Sequence, residues 1–469
     1  MTDVEAPVTG VWEITMGCNM RCKHCGSSCT NPLPDELTTD EALALCDDIA
    51  ALGLQWITLS GGEPLTRSDW PLLVRRLREG GVIPNIITNG WMCDAETVAT
   101  ARDAGVGTFA LSLDGMKATH DYIRRKGSYD RCLSALSTMA EAGVSAGVIT
   151  TVHRRNIAEL PEMHRMLKEI GVESWQLQIG LPMGNFRRPE RADLVAEPED
   201  VDRVIDFIYS HGENDGRMSI YPADCLGYYS RKELVARQRA FGTTEPVVWQ
   251  GCNAGRRSLG ILHNGDVLGC TSIRDRSFIE GNLRQRPLRD IWYDPEAFPW
   301  ARRLTKQDLG GTCRSCAFGD TCLGGCPNTR LTMNGTIHSE NTYCSYNVAL
   351  TKAREEVGRM GATADTAMAR RLIDRGEMQL AALVLEKVTE RDPGDREALG
   401  LLGYVNYALN NLDDSRRINE RVLALDPTDV YATKGLGVVL HRLGRTDEGI
   451  ATLRRAVDLS GGQDLDSMH

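Results

Sequence analysis

Between residue 10 and about residue 213 the chain alternates six times between a short apolar run and an amphipathic stretch, and that alternation decides the fold class. The apolar runs are 11–16, 56–60, 84–88, 108–113, 146–152 and 175–179. A capping box opens the first helical stretch, with Thr38 three residues before Glu41. Strands and helices in such alternation predict parallel βαβ units, hence an α/β class. Six units predict an open, partial (β/α)6 TIM barrel, in which chemistry belongs on the loops that follow the strands.

Those loops carry the distinctive residues. Directly after the first run comes MGCNMRCKHCGSSCT, in which Cys18, Cys22 and Cys25 form a C-x3-C-x2-C array. Structural zinc wants four closed ligands, so three soft thiolates on one loop suit iron, as a four-iron cluster with one iron left free. A zinc knuckle is the alternative. After the second run stands Ser60-Gly61-Gly62-Glu63-Pro64, whose glycines let backbone approach a ligand closely and whose carbonyl-rich edge could hold an ammonium group. Taken alone it is equally an ordinary turn. Thr88-Asn89-Gly90 follows the third run and Ser112-Leu113-Asp114-Gly115 the fourth, with Ser112 and Asp114 on one side by alternation. Cys46 and Cys132 fall on apolar helical faces and read as core thiols. Cys29 and Cys93 lie in or near loops at the expected active face.

The cysteine array, the aromatic His24 before its last cysteine and the Gly-Gly-Glu-Pro stretch together resemble the radical S-adenosylmethionine (radical SAM) enzymes. The resemblance implies a SAM-binding 4Fe-4S cluster on Cys18, Cys22 and Cys25, and SAM contacts from His24, Gly61, Gly62, Glu63, Pro64, Thr88, Asn89, Ser112 and Asp114. Arg124 would pair with the SAM carboxylate, since guanidinium binds carboxylates bidentately; a surface salt bridge is its other reading. It also implies an electron donor such as a flavodoxin or ferredoxin, cleavage of SAM to a 5'-deoxyadenosyl radical, and abstraction of a hydrogen from an unactivated C–H bond.

From residue 251 the sequence changes to cysteines, glycines and short turns. Cys252, Gly265 and Cys270 form C-x12-G-x4-C, followed by Cys313-x2-Cys316-x5-Cys322-x3-Cys326 and then Cys344. Asn264-Gly265 between two apolar runs predicts a β-hairpin that brings Cys252 and Cys270 together. With Glu280-Gly281-Asn282-Leu283 and Leu288-Arg289-Asp290-Ile291-Trp292, this stretch resembles the SPASM extension of peptide- and protein-modifying radical SAM enzymes. Carried over by position, Cys313, Cys316, Cys322 and Cys344 would hold a distal auxiliary 4Fe-4S cluster, and Cys252, Cys270 and Cys326 one nearer SAM. The fullest family pattern has a further cysteine beside the first of these, which this chain lacks. The near cluster is therefore expected to keep an open iron, with Cys225 reaching in as the alternative. A zinc ribbon is the other reading of 313–326.

From about residue 363 to 460 the chain is helical and repeats at a spacing of 34: Asp392-Pro393 with Asp426-Pro427, Leu402-Gly403 with Leu436-Gly437, and Gly376 with Asn410 and Gly444. The period resembles tetratricopeptide repeats, whose concave surfaces take peptides or protein partners.

The expected organisation is 1–215 barrel, 216–250 bridging segment, 251–350 auxiliary-cluster domain and 363–460 repeats. With Lys plus Arg at 54 against 64 Asp plus Glu, no basic excess exists to neutralise phosphates, and nucleic acid is not an expected partner. No apolar run approaches about 18 residues, and the amino terminus lacks a signal pattern, so a cytoplasmic protein without a membrane partner is expected. In a reducing compartment fifteen cysteines read as metal ligands rather than disulfides. The expected activity is oxidation of a ribosomally made precursor peptide to a crosslink, thioether or dehydrogenated residue. A maturase of a folded protein such as a sulfatase, a small-molecule dehydrogenase, and a non-enzymatic iron-sulfur or zinc scaffold are the alternatives. Asp224, Tyr228 and Cys225 are the weak catalytic candidates.

Overall fold

The computed structural model describes residues 4–212, 218–244 and 247–461; the expected boundary at 215–216 lies outside them. The chain divides into two units, one of residues up to 310 with 321–346, the other of 311–320 with residues from 347 onward.

The first unit is built on one sheet. The six expected strands are present as β1 (Thr9–Thr15), β2 (Trp56–Gly61), β3 (Ile83–Thr88), β4 (Phe109–Ser112), β5 (Ala146–Val152) and β6 (Ser174–Ile179). They pair in parallel in sequence order, as successive βαβ units do. Alternation sorts their side chains: Trp12 and Ile14 of β1 are fully buried in the main apolar core, while Val11 lines a cavity on the opposite face. Helices α1 (Thr39–Leu52), α2 (Trp70–Glu79), α3 (Ala95–Ala104), α4 (Lys117–Ile123), α5 (Ser128–Glu141) and α6 (Leu160–Ile170) fill the crossovers. The capping box at Thr38 and Glu41 is formed, and Gly53, Gly105 and Gly171 close their helices in the left-handed region. Cys46 and Cys132 are core thiols, donating to the Leu73 and Asn89 carbonyls.

The sheet is longer than the six-unit pattern predicts. Beyond β6 lies β7 (Ser219–Pro222), parallel to it and reached through α7 (Pro198–His211). At the other end the expected hairpin forms, as β8 (Ser258–Ile261) and β9 (Asp266–Leu268) around Gly265 at φ +86°. Strand β8 pairs in parallel with β1, and β9 pairs antiparallel with β10 (Ile279–Asn282), giving ten strands in the order β10-β9-β8-β1-β2-β3-β4-β5-β6-β7. The cysteine-rich segment thus continues the barrel sheet rather than standing apart from it. The hairpin strands are only three or four residues long, too short for their periodicity to announce this pairing.

In the second unit three helix pairs stack: Thr366–Asp374 with Met378–Arg391, Arg396–Ala408 with Leu412–Leu425, and Val430–Arg442 with Thr446–Leu459. Asp365, Asp395 and Asp429 cap the first helix of each pair through the backbone amides of Met368, Ala398 and Ala432. Gly376, Asn410 and Gly444 all take positive φ, which glycine and asparagine adopt at least cost. A hollow of about 450 Å³ opens between the helices, with Arg354, Glu386, Asp414, Arg417 and Arg421 on its walls. Among the described residues no helix is long and apolar enough to cross a membrane.

The end of β2 is the tightest point of the sheet. A Cβ on Gly61, at φ +128°, would stand 2.2 Å from the Thr15 carbonyl oxygen, whereas one on Gly171, at φ +89°, would meet nothing within 4 Å. Gly171→Ala is expected to cost about 1 kcal/mol, the left-handed penalty alone. Gly61→Ala adds a backbone clash, and its thermal midpoint should fall at least twice as far. Equal midpoints for the two variants would contradict this packing.

Candidate active site

All seven parallel barrel strands end at one face, and a cavity of about 520 Å³ opens there. Its wall collects residues from the end of nearly every strand: the 18–29 loop after β1, Gly61 and Gly62 after β2, Asn89 after β3, Thr151 on β5, Gln178 to Leu181 around the end of β6, and Ala223 to Cys225 after β7. The opposite side is closed by Cys252, Cys270, Arg274 and Cys326.

The loop that carries Cys18, Cys22 and Cys25 is pinned throughout by backbone. Cys18 N–H donates to the Thr30 carbonyl (2.8 Å), Lys23 N–H to Ile123 (2.7 Å), and the Cys25 carbonyl accepts from Asn185 N–H (2.9 Å). Gly62 passes directly beneath it, where a Cβ would stand 2.2 Å from the Gly17 carbonyl oxygen and 3.0 Å from Cys18 Cβ. Two glycines are needed here because two strand ends cross at van der Waals distance. All three thiols face the cavity. Burial pushes Cys22 up to about 11, with Arg124 opposing, whereas a hydrogen bond from the Cys29 thiol draws Cys25 down to about 5 despite its burial. Three thiols on one loop form a soft donor set, which fits an iron-sulfur cluster; the His24 imidazole beside them is hydrogen-bonded to Asp114.

Of the expected SAM contacts, His24, Gly61, Gly62, Asn89 and Arg124 line the cavity. Glu63, Pro64, Thr88 and Asp114 lie beneath it, all buried, and half-buried Ser112 is not on its wall. The buried carboxylates hold the site together. Glu63 accepts from Asn89 N–H (2.7 Å), Thr88 Oγ1 (2.7 Å) and Leu65 N–H (3.2 Å), tying the ends of β2 and β3. Burial nevertheless raises it to about 7. Asp114 accepts from Arg124 Nε and from Thr151 N–H (2.8 Å), and its Oδ2 lies 2.7 Å from His24 Nε2. Burial alone would raise Asp114; Arg124 and His24 outweigh it and hold the carboxyl well below its usual range. The surface-salt-bridge reading of Arg124 is corrected: the guanidinium is interior, and only its far edge, 4.0 Å from Cys22 Sγ, reaches the cavity side.

The near auxiliary set is gathered as the hairpin predicts. Cys252, Cys270 and Cys326 line the same cavity, together with Cys225. Burial raises Cys225 to about 12 and lifts Cys252 and Cys270 as well, with the Cys326 thiol adding to all three. Such thiols keep their protons in water and release them to solvent when iron binds the sulfur. Of the proposed distal ligands, Cys313 and Cys316 belong to the second unit and Cys322 and Cys344 to the first. Cys313 and Cys322 are buried; Cys316 and Cys344 are half-buried.

Two of the weak catalytic candidates separate. Tyr228 is fully buried and its hydroxyl donates to the Asp224 carbonyl and accepts from Cys326 N–H (3.1 Å), which makes it a brace rather than a reactant. Asp224 lines the cavity; burial raises its carboxyl, with Arg237 opposing. Sequence reasoning missed Thr151, Gln178, Arg274 and Asn328. The first two sit on the carboxyl-terminal halves of β5 and β6, a position that could have marked them. Arg274 leaves no such trace: it forks onto buried Glu13 across the barrel (2.8 Å for the longer bond) and reaches Ser27 of the cysteine loop.

Known proteins agree with this architecture. Residues 12–167 match the radical SAM superfamily, 252–317 an iron-sulfur cluster-binding domain of the SPASM type, and 366–430 and 411–464 tetratricopeptide repeats. An AdoMet-dependent heme synthase of Methanosarcina barkeri is 31% identical over 354 residues, 73% of this chain and 97% of the relative. The mycofactocin maturase MftC of Mycolicibacterium smegmatis is 28% identical over 69% of this chain and 79% of its own. Streptococcus suis SuiB bound to its precursor peptide SuiA shares the fold, with a TM-score of 0.57 at 18% identity over 72% of this chain and 76% of its own. The chain is therefore a member of the radical SAM superfamily with a SPASM extension and tetratricopeptide repeats, and its cofactors are SAM and 4Fe-4S clusters.

Proposed function

We infer that this enzyme oxidises a residue of a ribosomally made precursor peptide. The observation that carries the reading is one cavity with a three-thiol loop on one wall and auxiliary thiols on the other, because an oxidation needs an electron outlet close to the carbon that loses hydrogen. When bound, SAM and its cluster supply the 5'-deoxyadenosyl radical. The protein's own part is placement. Gly61 and Gly62 leave a bare backbone edge for the methionine end, Arg124 and Asn89 stand beside it, and Gln178, Thr151 and Asn328 offer polar contacts to a substrate. Asp224, at the cavity wall with a raised carboxyl, is placed to take up the proton that leaves the substrate during oxidation. The repeat unit supports a polypeptide substrate, since its hollow mixes arginine and acidic walls suited to extended backbone and side chains. MftC is itself named as a maturase.

A second reading is favoured by one finding. The heme synthase relative aligns over nearly its whole length, so oxidation of a carboxylate-bearing tetrapyrrole is the rival substrate class. Incubation of anaerobically reconstituted enzyme with a precursor peptide encoded nearby, and separately with an iron-porphyrin carboxylate, distinguishes the two by the mass of the product.

Wild type should release 5'-deoxyadenosine under strong reductant, and the combined Cys18→Ala, Cys22→Ala and Cys25→Ala variant none, while losing about four irons per chain. Zinc in place of iron, with no SAM cleaved by wild type, would return the scaffold reading. For Asp224→Asn the expectation is a split: 5'-deoxyadenosine forms at close to the wild-type rate, while oxidised product falls by about 10²-fold or more. Equal loss of both would remove Asp224 from the proton-transfer role. Glu63 gives a pH signature. Its raised value means it is half protonated near pH 7, and a neighbouring ammonium group favours the ionised form. SAM binding should then expel a proton and tighten between pH 6 and 8, by up to about tenfold per unit that the group is shifted. Glu63→Gln should flatten the profile; a wild-type dissociation constant independent of pH would refute this electrostatic link between the buried carboxylate and the bound SAM.

A further inference from the structure

The sequence leaves the near auxiliary cluster one ligand short, and its pattern favours an open iron. The fold supplies a fourth thiol. Strand β7, which the six-unit pattern does not contain, ends at the same face as the other strands, and the turn after it delivers Cys225 to the wall that holds Cys252, Cys270 and Cys326.

The turn is held against Cys326 from several directions. The Tyr228 hydroxyl bridges the Asp224 carbonyl to Cys326 N–H, so the residue before Cys225 and the ligand Cys326 hang from one oxygen. On the other side Arg237, paired with Glu233 in the interior, donates to the carbonyls of Pro222 (3.4 Å) and Leu226 (3.0 Å), which bracket Cys225. Glu233 also accepts from Tyr229 N–H (3.1 Å). Tyr228 and Tyr229 both take positive φ, +87° and +58°, a conformation costly for non-glycine residues. The core thiols offer a contrast: Cys46 and Cys132 are completely buried in helices and satisfied by backbone carbonyls, whereas Cys225 is half-buried and faces the cavity.

We propose that Cys225 is the fourth thiolate of the near auxiliary 4Fe-4S cluster, so that this cluster has no open iron and serves as an electron acceptor without touching substrate directly. On ligation the thiol proton leaves to solvent as the iron–sulfur bond forms, with no change of oxidation state. The inference rests on the cofactor assignment and holds whichever substrate the cavity takes; its test uses no substrate.

The test is made in full-length protein carrying Cys18→Ala, Cys22→Ala and Cys25→Ala, so that only auxiliary clusters remain, reconstituted anaerobically and reduced with dithionite. Carbon-13 cyanide is the probe for an accessible iron, read by its hyperfine coupling in electron paramagnetic resonance. With Cys225 present, no coupling is expected and iron should stand at about eight per chain. Adding Cys225→Ser should either create a cyanide-coupled iron with shifted g values or drop iron to about four, while Cys132→Ser leaves both readings unchanged. Cyanide coupling with Cys225 intact would overturn the proposal, and so would a Cys225→Ser variant with unaltered spectrum, iron content and cyanide response. The measurement with Cys225 intact stands by itself should the serine variant not fold.

Discussion

One buried carboxylate sets the active face. Asp114 is completely inaccessible and carries a charge, which is tolerable only because Arg124, His24 and Thr151 N–H converge on it. Each partner belongs to a different part of the face: Arg124 to the helix after β4, His24 to the cysteine loop after β1, Thr151 to β5. Losing one member of such a group leaves a charge buried without its partner, a cost of about 3–5 kcal/mol, whereas an exposed pair is worth about 1 kcal/mol or less. The cysteine loop is thus placed by the His24 hydrogen bond to a buried carboxylate as well as by its own backbone bonds. Glu63 repeats the device one strand pair away, using three hydrogen bonds, with Arg124 only a weaker electrostatic influence, and burial leaves its pKa raised.

These two carboxylates correct how the motifs work. The sequence resemblance assigns Glu63 and Asp114 directly to SAM, but both lie under the cavity floor, where they position neighbours that do reach it: Asn89 above Glu63, and His24 and Arg124 above Asp114. Gly61 and Gly62 are more literal. Their backbone lines the cavity, and any side chain on them would collide with the loop after β1.

What could be read in advance divides by range of interaction. Strand and helix order, the capping box at Thr38, the hairpin turn at Asn264-Gly265 and the left-handed positions at Gly376, Asn410 and Gly444 are local, and local pattern carried them. The three-thiol loop was legible because all its donors lie within eight residues of sequence, 18 to 25. Strand β7 was not: four residues after a long helix give no usable period, and its identity comes only from pairing with β6. Arg274 was equally hidden, since its partner Glu13 lies 261 residues away and nothing in Ile273-Arg274-Asp275 marks a buried fork.

Arg274 also bears on how the two cysteine groups are held at one cavity. It sits four residues after Cys270, and its guanidinium is fixed to Glu13 on the barrel wall and to Ser27, two residues after Cys25. A single charged side chain therefore couples the loop of the auxiliary thiols to the loop of the SAM-cluster thiols, and the Glu13 pairing keeps that charge from standing uncompensated in the cavity. Arginine suits the task because its planar fork satisfies a carboxylate with two parallel bonds and still has donors left for a third group. Had the two loops been joined only through their own elements, each would move with a different part of the sheet, and the distance between the two sets of thiols would vary. The fork removes that freedom, so that the two sets of thiols line the cavity in one fixed geometry.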